Sequence, residues 1–192
     1  MDRSKIFADV KAAVECMRRG GVILYPTDTV WGLGCDASDS EAVRRVFEIK
    51  RRAEAKAMIS LVGSVAMLER YVGDIPDVAY DLVELADKPL TVVYDSPRGI
   101  APELIASDGS AGFRVTSEIY SQALCRSLGR PVVSTSANVS GHPTPRFFAE
   151  IECEVIDAVD YVAAYRRDDR EKHRSSSVVK ISNDCSIRIL RP

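Results

Sequence analysis

Short apolar, β-branched runs alternate with amphipathic segments along the chain, and this alternation restricts the fold more than any other feature. The runs predict strands at 22–25, 58–62, 90–94, 112–116, 132–136 and 160–164, and a closing hairpin of 176–182 with 186–190. Apolar residues at helical spacing predict helices at 7–19, 41–52, 64–73, from 76, at 118–128 and at 147–157. Such interleaving predicts an α/β fold with a mostly parallel or mixed sheet. No repeat or linker divides the chain, so residues 1–192 are predicted to form a single domain.

The composition excludes several classes of protein. The chain has 192 residues, of which 46% are hydrophobic and 28% charged, and this balance is typical of a soluble globular protein. The N-terminal segment lacks the apolar core of a signal peptide, and no segment reaches the roughly 18 apolar residues of a membrane span. The five cysteines are widely scattered without metal-ligand spacing. They predict free thiols in the cytoplasm and no protein-built metal site. The lack of a spanning segment predicts no membrane partner.

The stretch LYPTDTVWGLG at 24–34 places polar residues directly after a predicted buried strand. The apolar run ends at Pro26, and two threonines, an aspartate, the only tryptophan and two glycines follow. Ligands of α/β sheets bind beside the carboxyl ends of strands, so this loop is a candidate binding segment. We expect Thr27 and Thr29 to face a small polar ligand, with the glycines allowing the backbone to approach closely.

The stretch STSANVSG at 134–141 follows another predicted strand. Helix capping or an Asx turn would explain one or two of its polar side chains. A shell of neutral donors around phosphate or carboxylate oxygens would explain all of them.

The stretch KRRAEAK at 50–56 ends a predicted helix with cations. One interpretation is a surface helix end on which the dipole favours Lys50, Arg52 and Lys56. The other is a triphosphate site, because a Lys-x-Arg pair offers both a point charge and a planar bidentate donor. The chain contains no Walker A motif, and a full dinucleotide fingerprint is also missing.

Arg114 lies inside an apolar strand, where an arginine is costly unless it is paired. It is interpreted either as part of a partly exposed strand face or as an anion clamp. The two histidines do not suggest a Ser-His-Asp arrangement, so the catalytic residue stays unknown. The basic run RRDDREKHR at 166–174 is predicted to be a solvated, mobile loop, since the net charge of −2 does not indicate a polyanionic partner.

Five segments together resemble, in order and spacing, the YrdC/TsaC family of threonylcarbamoyl-AMP synthases. They are YPTDTVWGLGCDA, KRRAEAK, FRVT, PVVSTSANVSG and the late SSSVVKI with ILRP, and the resemblance extends from about residue 20 to the C-terminus. It implies a twisted, open α/β sheet with flanking helices around a positively charged central groove. It also implies that L-threonine, bicarbonate or CO2, and ATP with Mg²⁺ give threonylcarbamoyl-AMP and pyrophosphate. Downstream threonylcarbamoyl-transferase machinery would use this product to modify tRNA.

The resemblance also assigns residues to the two ends of a ligand site. The implied ATP-binding residues are Lys50, Arg52, Lys56, Ser136, Asn138, Thr144 and Arg191. The implied threonine-binding residues are Thr27, Thr29, Arg114, Ser134 and Ser177. Two alternatives stay open: a YciO-like paralogue with the same fold, and a module that binds tRNA or double-stranded RNA in the same basic groove. The buried hydroxyls favour the enzyme, because contacts along an RNA backbone would use lysine and arginine.

Overall fold

The computed structural model describes residues 3–52, 58–170 and 175–192. The first half contains α1 (Arg3–Arg18), β1 (Ile23–Tyr25), β2 (Gly32–Gly34), α2 (Ser40–Ile49), β3 (Ile59–Val62), α3 (Val65–Leu68), α4 (Asp77–Glu84) and β4 (Leu90–Tyr94). The second half contains β5 (Ala111–Val115), α5 (Ile119–Leu128), β6 (Val132–Ser136), α6 (Cys153–Asp157), β7 (Tyr161–Val162), β8 (Ser177–Ile181) and β9 (Ile187–Arg191). Two 3-10 helices lie at Pro102–Leu104 and Phe148–Glu150.

In the described part of the chain, nine strands form a single mixed sheet. Their order across the sheet is β7-β1-β2-β6-β3-β5-β4-β8-β9. The pairs β1–β7, β3–β5 and β4–β8 are parallel, and the other neighbours are antiparallel. The predicted α/β fold with a mixed sheet is therefore confirmed. The closing hairpin is also confirmed, since Ile181 pairs with Ile187 at its turn.

Strand β2 occupies a stretch that the sequence predicts to be a loop. It pairs with β1 on one side and with β6 on the other. Glycine has a low strand propensity, which hides such a strand from pattern analysis. A Cβ atom on Gly34 would lie 2.3 Å from the carbonyl oxygen of Val133 and 2.6 Å from Cε1 of Tyr25. Only glycine therefore lets the backbone of β2 fit at this position.

Two predicted helices are shorter in the structure. The helix predicted over 64–73 is reduced to α3, because residues 69–71 form turns and Val72 then forms an antiparallel bridge with Pro97. The helix predicted over 147–157 is divided into a 3-10 turn and α6 by two extended residues, Ile151 and Glu152. In the first case a tertiary pairing has replaced a local helical preference.

Helix α2 delivers Lys50 to the centre of the fold. The carboxylate of Asp39 accepts hydrogen bonds from the backbone N–H groups of Glu41 and Ala42, and so caps the helix. Val43 and Val46 are fully buried and hold the inner face of α2 against the core. The backbone N–H of Ser140 donates to the carbonyl of Lys50 at 2.8 Å, which joins the helix end to the loop after β6.

All five cysteines are free thiols, and Cys16, Cys35 and Cys125 are buried. Burial raises the pKa of the Cys125 thiol to about 12, so this side chain is an unreactive part of the core. Among the helices that the structure describes, none is both long and apolar enough to cross a membrane.

Candidate active site

A cavity of about 570 Å³ lies over the middle of the sheet, and residues of β2, β3, β4, β5, β6, β8 and β9 line it. Seven of the predicted site residues are in its wall: Thr29, Arg52, Arg114, Ser134, Ser136, Thr144 and Arg191. Thr27, Lys50, Asn138 and Ser177 are not in the wall. Lys56 lies outside the described residues. Residues that are far apart in the sequence thus meet around one cavity.

The wall of this cavity carries more positive than negative side chains. Its described residues include five cations and one carboxylate, which are Arg52, Arg114, Lys180, Arg188, Arg191 and Asp108. Lys180 Nζ lies 2.9 Å from Asp108 and 3.2 Å from Asp95, and Arg114 is paired with Asp28, so two of these cations are already compensated. An excess of cations in a partly enclosed space attracts anionic ligands.

Arg114 forms a buried ion pair at the floor of the cavity. Its side chain is 3% exposed, and Nη2 lies 2.9 Å from Oδ1 of Asp28 and donates to the hydroxyl of Thr29 at 3.3 Å. Burial lowers the pKa of Arg114 below its ordinary value, and the Asp28 carboxylate opposes this shift. Among the described residues, Nε has no hydrogen-bond partner. An arginine that lines a cavity and carries a buried, unpaired N–H is a candidate for binding an oxygen ligand.

Thr27 and Thr29 form a directed chain of hydrogen bonds. The Thr27 hydroxyl donates to the carbonyl of Val30 at 2.8 Å and accepts from the backbone N–H of Thr29 at 3.0 Å. Its single proton is therefore used, and the 2.9 Å contact between the two hydroxyls must have Thr29 as donor. Thr29 also accepts from Arg114, so its remaining lone pair can only accept a hydrogen bond from a ligand.

Gly32 places backbone without a side chain in the cavity wall beside Ser134. A Cβ atom there would lie 3.3 Å from the Thr135 carbonyl, 3.4 Å from Cγ2 of Thr27 and 3.5 Å from the hydroxyl of Ser134. Ser134 is 7% exposed and faces the cavity. The strand end therefore presents a hydroxyl beside bare backbone, as a small polar ligand requires.

Lys50 is buried below the cavity wall. Its side chain is among the largest fully buried ones at 2% exposure, so the interpretation as a surface helix end is wrong for this residue. Nζ donates to the carbonyl of Ser136 at 2.5 Å and to the carbonyl of Asn138 at 2.7 Å. Burial, together with the nearby charge of Arg52, lowers the pKa of Lys50 to about 8. In this structure, Lys50 holds the turn after β6 in place.

Asn138 belongs to the same turn. Its Nδ2 donates to the carbonyls of Val139 at 3.0 Å and His142 at 2.8 Å, which closes the loop on itself. Oδ1 is buried and has no hydrogen-bond partner among the described residues. Asn138 therefore holds the loop through its amide N–H groups and not through an Asx turn, in which Oδ1 would accept a backbone N–H, while Ser136 in the same stretch lines the cavity.

The alternation of side chains between the two faces of a strand determines which serine at the start of β8 faces the cavity. Ser176, Val178 and Lys180 are in the wall, so Ser177 points to the opposite face of the sheet. Arg191 donates to the carbonyl of Ser176 at 2.9 and 2.7 Å. A register shift between β8 and β9 brings Leu190 and Arg191 to the same side. The sequence motifs did not identify three of the polar lining residues, Ser176, Lys180 and Arg188. Alternation along β8 could have indicated Ser176 and Lys180.

Residues 15–192 match the protein-family model of Sua5, YciO and YrdC proteins, whose description is telomere recombination. The chain belongs to the Sua5/YciO/YrdC family. The threonylcarbamoyl-AMP synthase of Pseudoalteromonas translucida is 35% identical over 155 residues, covering 79% of this chain and 83% of that protein. The synthase of Xanthomonas campestris pv. campestris is 37% identical over 165 residues, covering 80% and 84%. The resemblance stated from the motifs is confirmed.

Solved structures of family members share the fold. P. abyssi Sua5 in complex with L-threonine superposes with a TM-score of 0.83 at 25% identity, covering 95% of this chain and 53% of that one. E. coli YciO superposes with a TM-score of 0.83 at 26% identity, covering 96% and 89%. The chain therefore spans about half the length of the Sua5 structure and most of the YciO structure.

The described residues that line the cavity do not offer a protein-built site for Mg²⁺. Asp108 is the one carboxylate among the described lining residues, and it already pairs with Lys180 and accepts from the hydroxyl of Ser110 at 2.6 Å. Mg²⁺ in nucleotide sites is held mainly by substrate phosphates and waters with one or two carboxylates. The lining residues that the structure describes therefore do not fit a metal held by the protein itself.

Proposed function

We propose that this chain is an L-threonylcarbamoyladenylate synthase. It would form threonylcarbamoyl-AMP and pyrophosphate from L-threonine, bicarbonate or CO2, and ATP. The observation that carries the proposal is the buried guanidinium of Arg114, which lines the cavity with Nε unpaired among the described residues. The synthases among the relatives and the threonine complex of P. abyssi Sua5 support the same assignment.

The threonine end of the site would lie at Arg114, Thr29 and Ser134. The Arg114 guanidinium would donate to the substrate carboxylate through the nitrogens other than Nη2, because Nη2 is occupied by Asp28 and Thr29. Thr29 can only accept, so its partner would be the hydroxyl or amino group of the substrate rather than the carboxylate. Thr27 does not line the cavity and would act by fixing Thr29.

The nucleotide end would be formed by polar and basic lining residues away from Arg114, which include Arg52, Ser136, Thr144, Ser176, Lys180, Arg188 and Arg191. Lys50 and Asn138 would support this end by holding the turn that carries Ser136. Lys56 keeps its predicted nucleotide role as a proposal. Mg²⁺ would arrive with the phosphates of ATP and help to neutralise their charge.

The proposed reaction is an in-line displacement at phosphorus. The amino group of threonine first forms a C–N bond to CO2 with loss of a proton, or to bicarbonate with loss of water, and so becomes a carbamate. A carbamate oxygen then forms a bond to the α-phosphorus of ATP, and the bond from that phosphorus to the bridging oxygen of pyrophosphate breaks. The cavity would contribute by holding both substrates in line and by placing cations beside the developing negative charge.

Release of pyrophosphate tests this function. The wild-type protein should release pyrophosphate from ATP only when threonine and bicarbonate are both present, and alanine in place of threonine should give a background rate. Release that does not depend on threonine would contradict the proposal. The similarity to E. coli YciO over most of both chains would then favour a YciO-like paralogue with the same fold and a weaker activity.

The wider setting of this activity is also proposed. The product would pass to downstream threonylcarbamoyl-transferase machinery that modifies tRNA. Direct binding of tRNA or double-stranded RNA and a cytoplasmic location remain predictions from the sequence, as does the single-domain organisation of residues 1–192.

A further inference from the structure

The basic run that the sequence assigns to a solvated loop contains an arginine that reaches the site. The side chain of Arg166 is only 18% exposed. Its Nη1 donates to the backbone carbonyl of Thr27 at 3.0 Å, across 139 positions of sequence. Its Nε and Nη2 lie 2.8 and 2.7 Å from Oδ2 of Asp169, so the carboxylate orients the guanidinium. The prediction of a solvated side chain is wrong for this residue.

Arg166 acts on the cavity from behind its wall. It does not line the cavity, but together with Thr27 and Thr29 it surrounds a space of about 10 Å³ on the other side of the loop. The carbonyl that it binds belongs to Thr27, whose hydroxyl fixes Thr29, and Thr29 in turn accepts from Arg114. A continuous chain of polar contacts therefore connects Arg166 with the buried guanidinium.

The backbone at Arg166 is held in an unusual conformation. Its φ angle is +61°, a left-handed conformation that is uncommon for an arginine. The segment just before it is fixed by Asp9 of α1, whose Oδ2 accepts from the N–H groups of Ala164 and Tyr165, each at 2.9 Å. A residue kept in a strained conformation by its surroundings is a sign of a functional constraint.

We propose that Arg166 is a positioning residue that holds the loop 26–31 in the form that binds threonine. This inference rests on the proposed function, because it names a residue that prepares the threonine end of the same site. Arg166 does not touch the substrate. Its loss should change the affinity for threonine and leave the ATP end unchanged.

The test compares two variants of the same loop. Arg166→Asn removes the guanidinium, and asparagine tolerates the left-handed conformation better than most residues. Arg170→Ala is the matched control, because it removes the same charge from an exposed side chain. Among the described residues, the contact of the Arg170 guanidinium is with the ring of Phe147, whose centroid lies 5.9 Å from Cζ. Arg166→Asn should raise the KM for threonine by about tenfold. This effect is smaller than the roughly hundredfold loss of activity that a misplacement of about 1 Å can cause. Its KM for ATP and its Tm should match those of Arg170→Ala.

Arg166→Lys separates positioning from charge. Lysine keeps the charge and can donate to the Thr27 carbonyl, but it cannot also make the planar contact with Asp169. It should restore part of the threonine affinity. Equal threonine KM values for Arg166→Asn and Arg170→Ala would overturn the proposal, since loss of charge would then explain both. A large fall in Tm confined to Arg166→Asn would also overturn it, in favour of a purely structural role.

Amide hydrogen exchange gives a readout that does not depend on activity. The N–H of Thr29 is protected by the Thr27 hydroxyl, so exchange in the segment 26–31 reports directly on the loop. Exchange there should accelerate by about tenfold in Arg166→Asn and remain unchanged in Arg170→Ala. If the wild type showed no threonine-dependent reaction, the proposed function would fail while this result still decided whether Arg166 holds the loop. Unchanged exchange in Arg166→Asn would refute the positioning role.

Discussion

Replacing Lys50 should reduce both stability and activity, because this lysine supports the site from inside the protein. Its ammonium donates to the carbonyls of Ser136 and Asn138, and the side chain is 2% exposed. The informative variants are Lys50→Met, which retains most of the volume of the stem, and Lys50→Ala, which also leaves a cavity. Arg52→Met is the comparison, because Arg52 lines the cavity two residues further along.

The expected loss of stability depends on the hydrogen bonds that Lys50 makes, on the cost of burying its charge and, for the alanine variant, on the cavity left behind. A hydrogen bond from a charged group contributes about 1.5–3 kcal/mol, and Lys50 makes two of them. A pKa of about 8 instead of 10.5 means that burial costs the ammonium about 3 kcal/mol relative to the unfolded chain. The difference between these contributions is about 0–3 kcal/mol, so Lys50→Met should lower the free energy of unfolding by about 1–2 kcal/mol, near the middle of that range. Lys50→Ala should lower it by about 3 kcal/mol or more, since truncation of a large buried side chain adds a cavity.

Denaturant unfolding and product formation measured on the same samples test this reasoning. Lys50→Met should lose both stability and most adenylate formation, since the turn carrying Ser136 loses its anchor. Arg52→Met should lose activity with a change in stability of less than about 1 kcal/mol, as for other partly exposed positions. If Lys50→Met unfolded like the wild type and raised only the KM for ATP, Lys50 would be a direct phosphate ligand and the supporting role would be refuted.

Four further predictions follow from the same geometry. Arg114→Lys should raise the KM for threonine far more than that for ATP in steady-state kinetics, because lysine cannot satisfy both Asp28 and a carboxylate. Valine should be a very poor substrate and serine a weak one in the same assay, since valine leaves the acceptor on Thr29 unpaired. Gly34→Ala should destabilise the protein by about 2 kcal/mol or more in denaturant unfolding, because its Cβ would lie 2.3 Å from the Val133 carbonyl. The folded protein binds the Lys50 proton less tightly than the unfolded chain, so Lys50 should make the free energy of unfolding rise between about pH 8 and pH 10.5, a rise absent from Lys50→Met.

Each of these four predictions has a result that would contradict it. Equal effects of Arg114→Lys on both substrates would move Arg114 away from the threonine end. Valine turned over like threonine would remove the hydroxyl acceptor from the site. A stable Gly34→Ala protein would mean that β2 can move away from β6, and a pH profile shared by wild type and Lys50→Met would assign the change to other groups.

Elements with a strong periodic pattern could be predicted from the sequence. The β-branched strands β4, β5 and β6 are found within one residue of the predicted ranges, because their composition and their burial agree. Strand β2 could not be predicted, since its glycines are required by the closeness of Val133 and Tyr25, and those contacts exist only in the folded chain. Helix α3 ends early because of a bridge to Pro97, which is equally invisible in a local pattern.

The candidate site was predictable in its residue types and less so in their individual positions. The motifs bring Thr29, Arg114, Ser134 and Ser136 to the cavity wall. They could not show that Lys50 is buried, because a helix-end lysine is usually exposed and only the returning loop after β6 covers it. Nor could they show the contact between Arg166 and Thr27, which depends on how two distant loops pack.

The chemical identity of the product decides whether this chain makes threonylcarbamoyl-AMP. Protein incubated with ATP, Mg²⁺, L-threonine and carbon-13-labelled bicarbonate should yield an adenylate with the mass of threonylcarbamoyl-AMP carrying the label. The same incubation with Arg114→Lys at low threonine concentration should yield far less of it, with recovery as the threonine concentration is raised. A folded wild-type protein that binds ATP but gives no labelled adenylate would contradict the account.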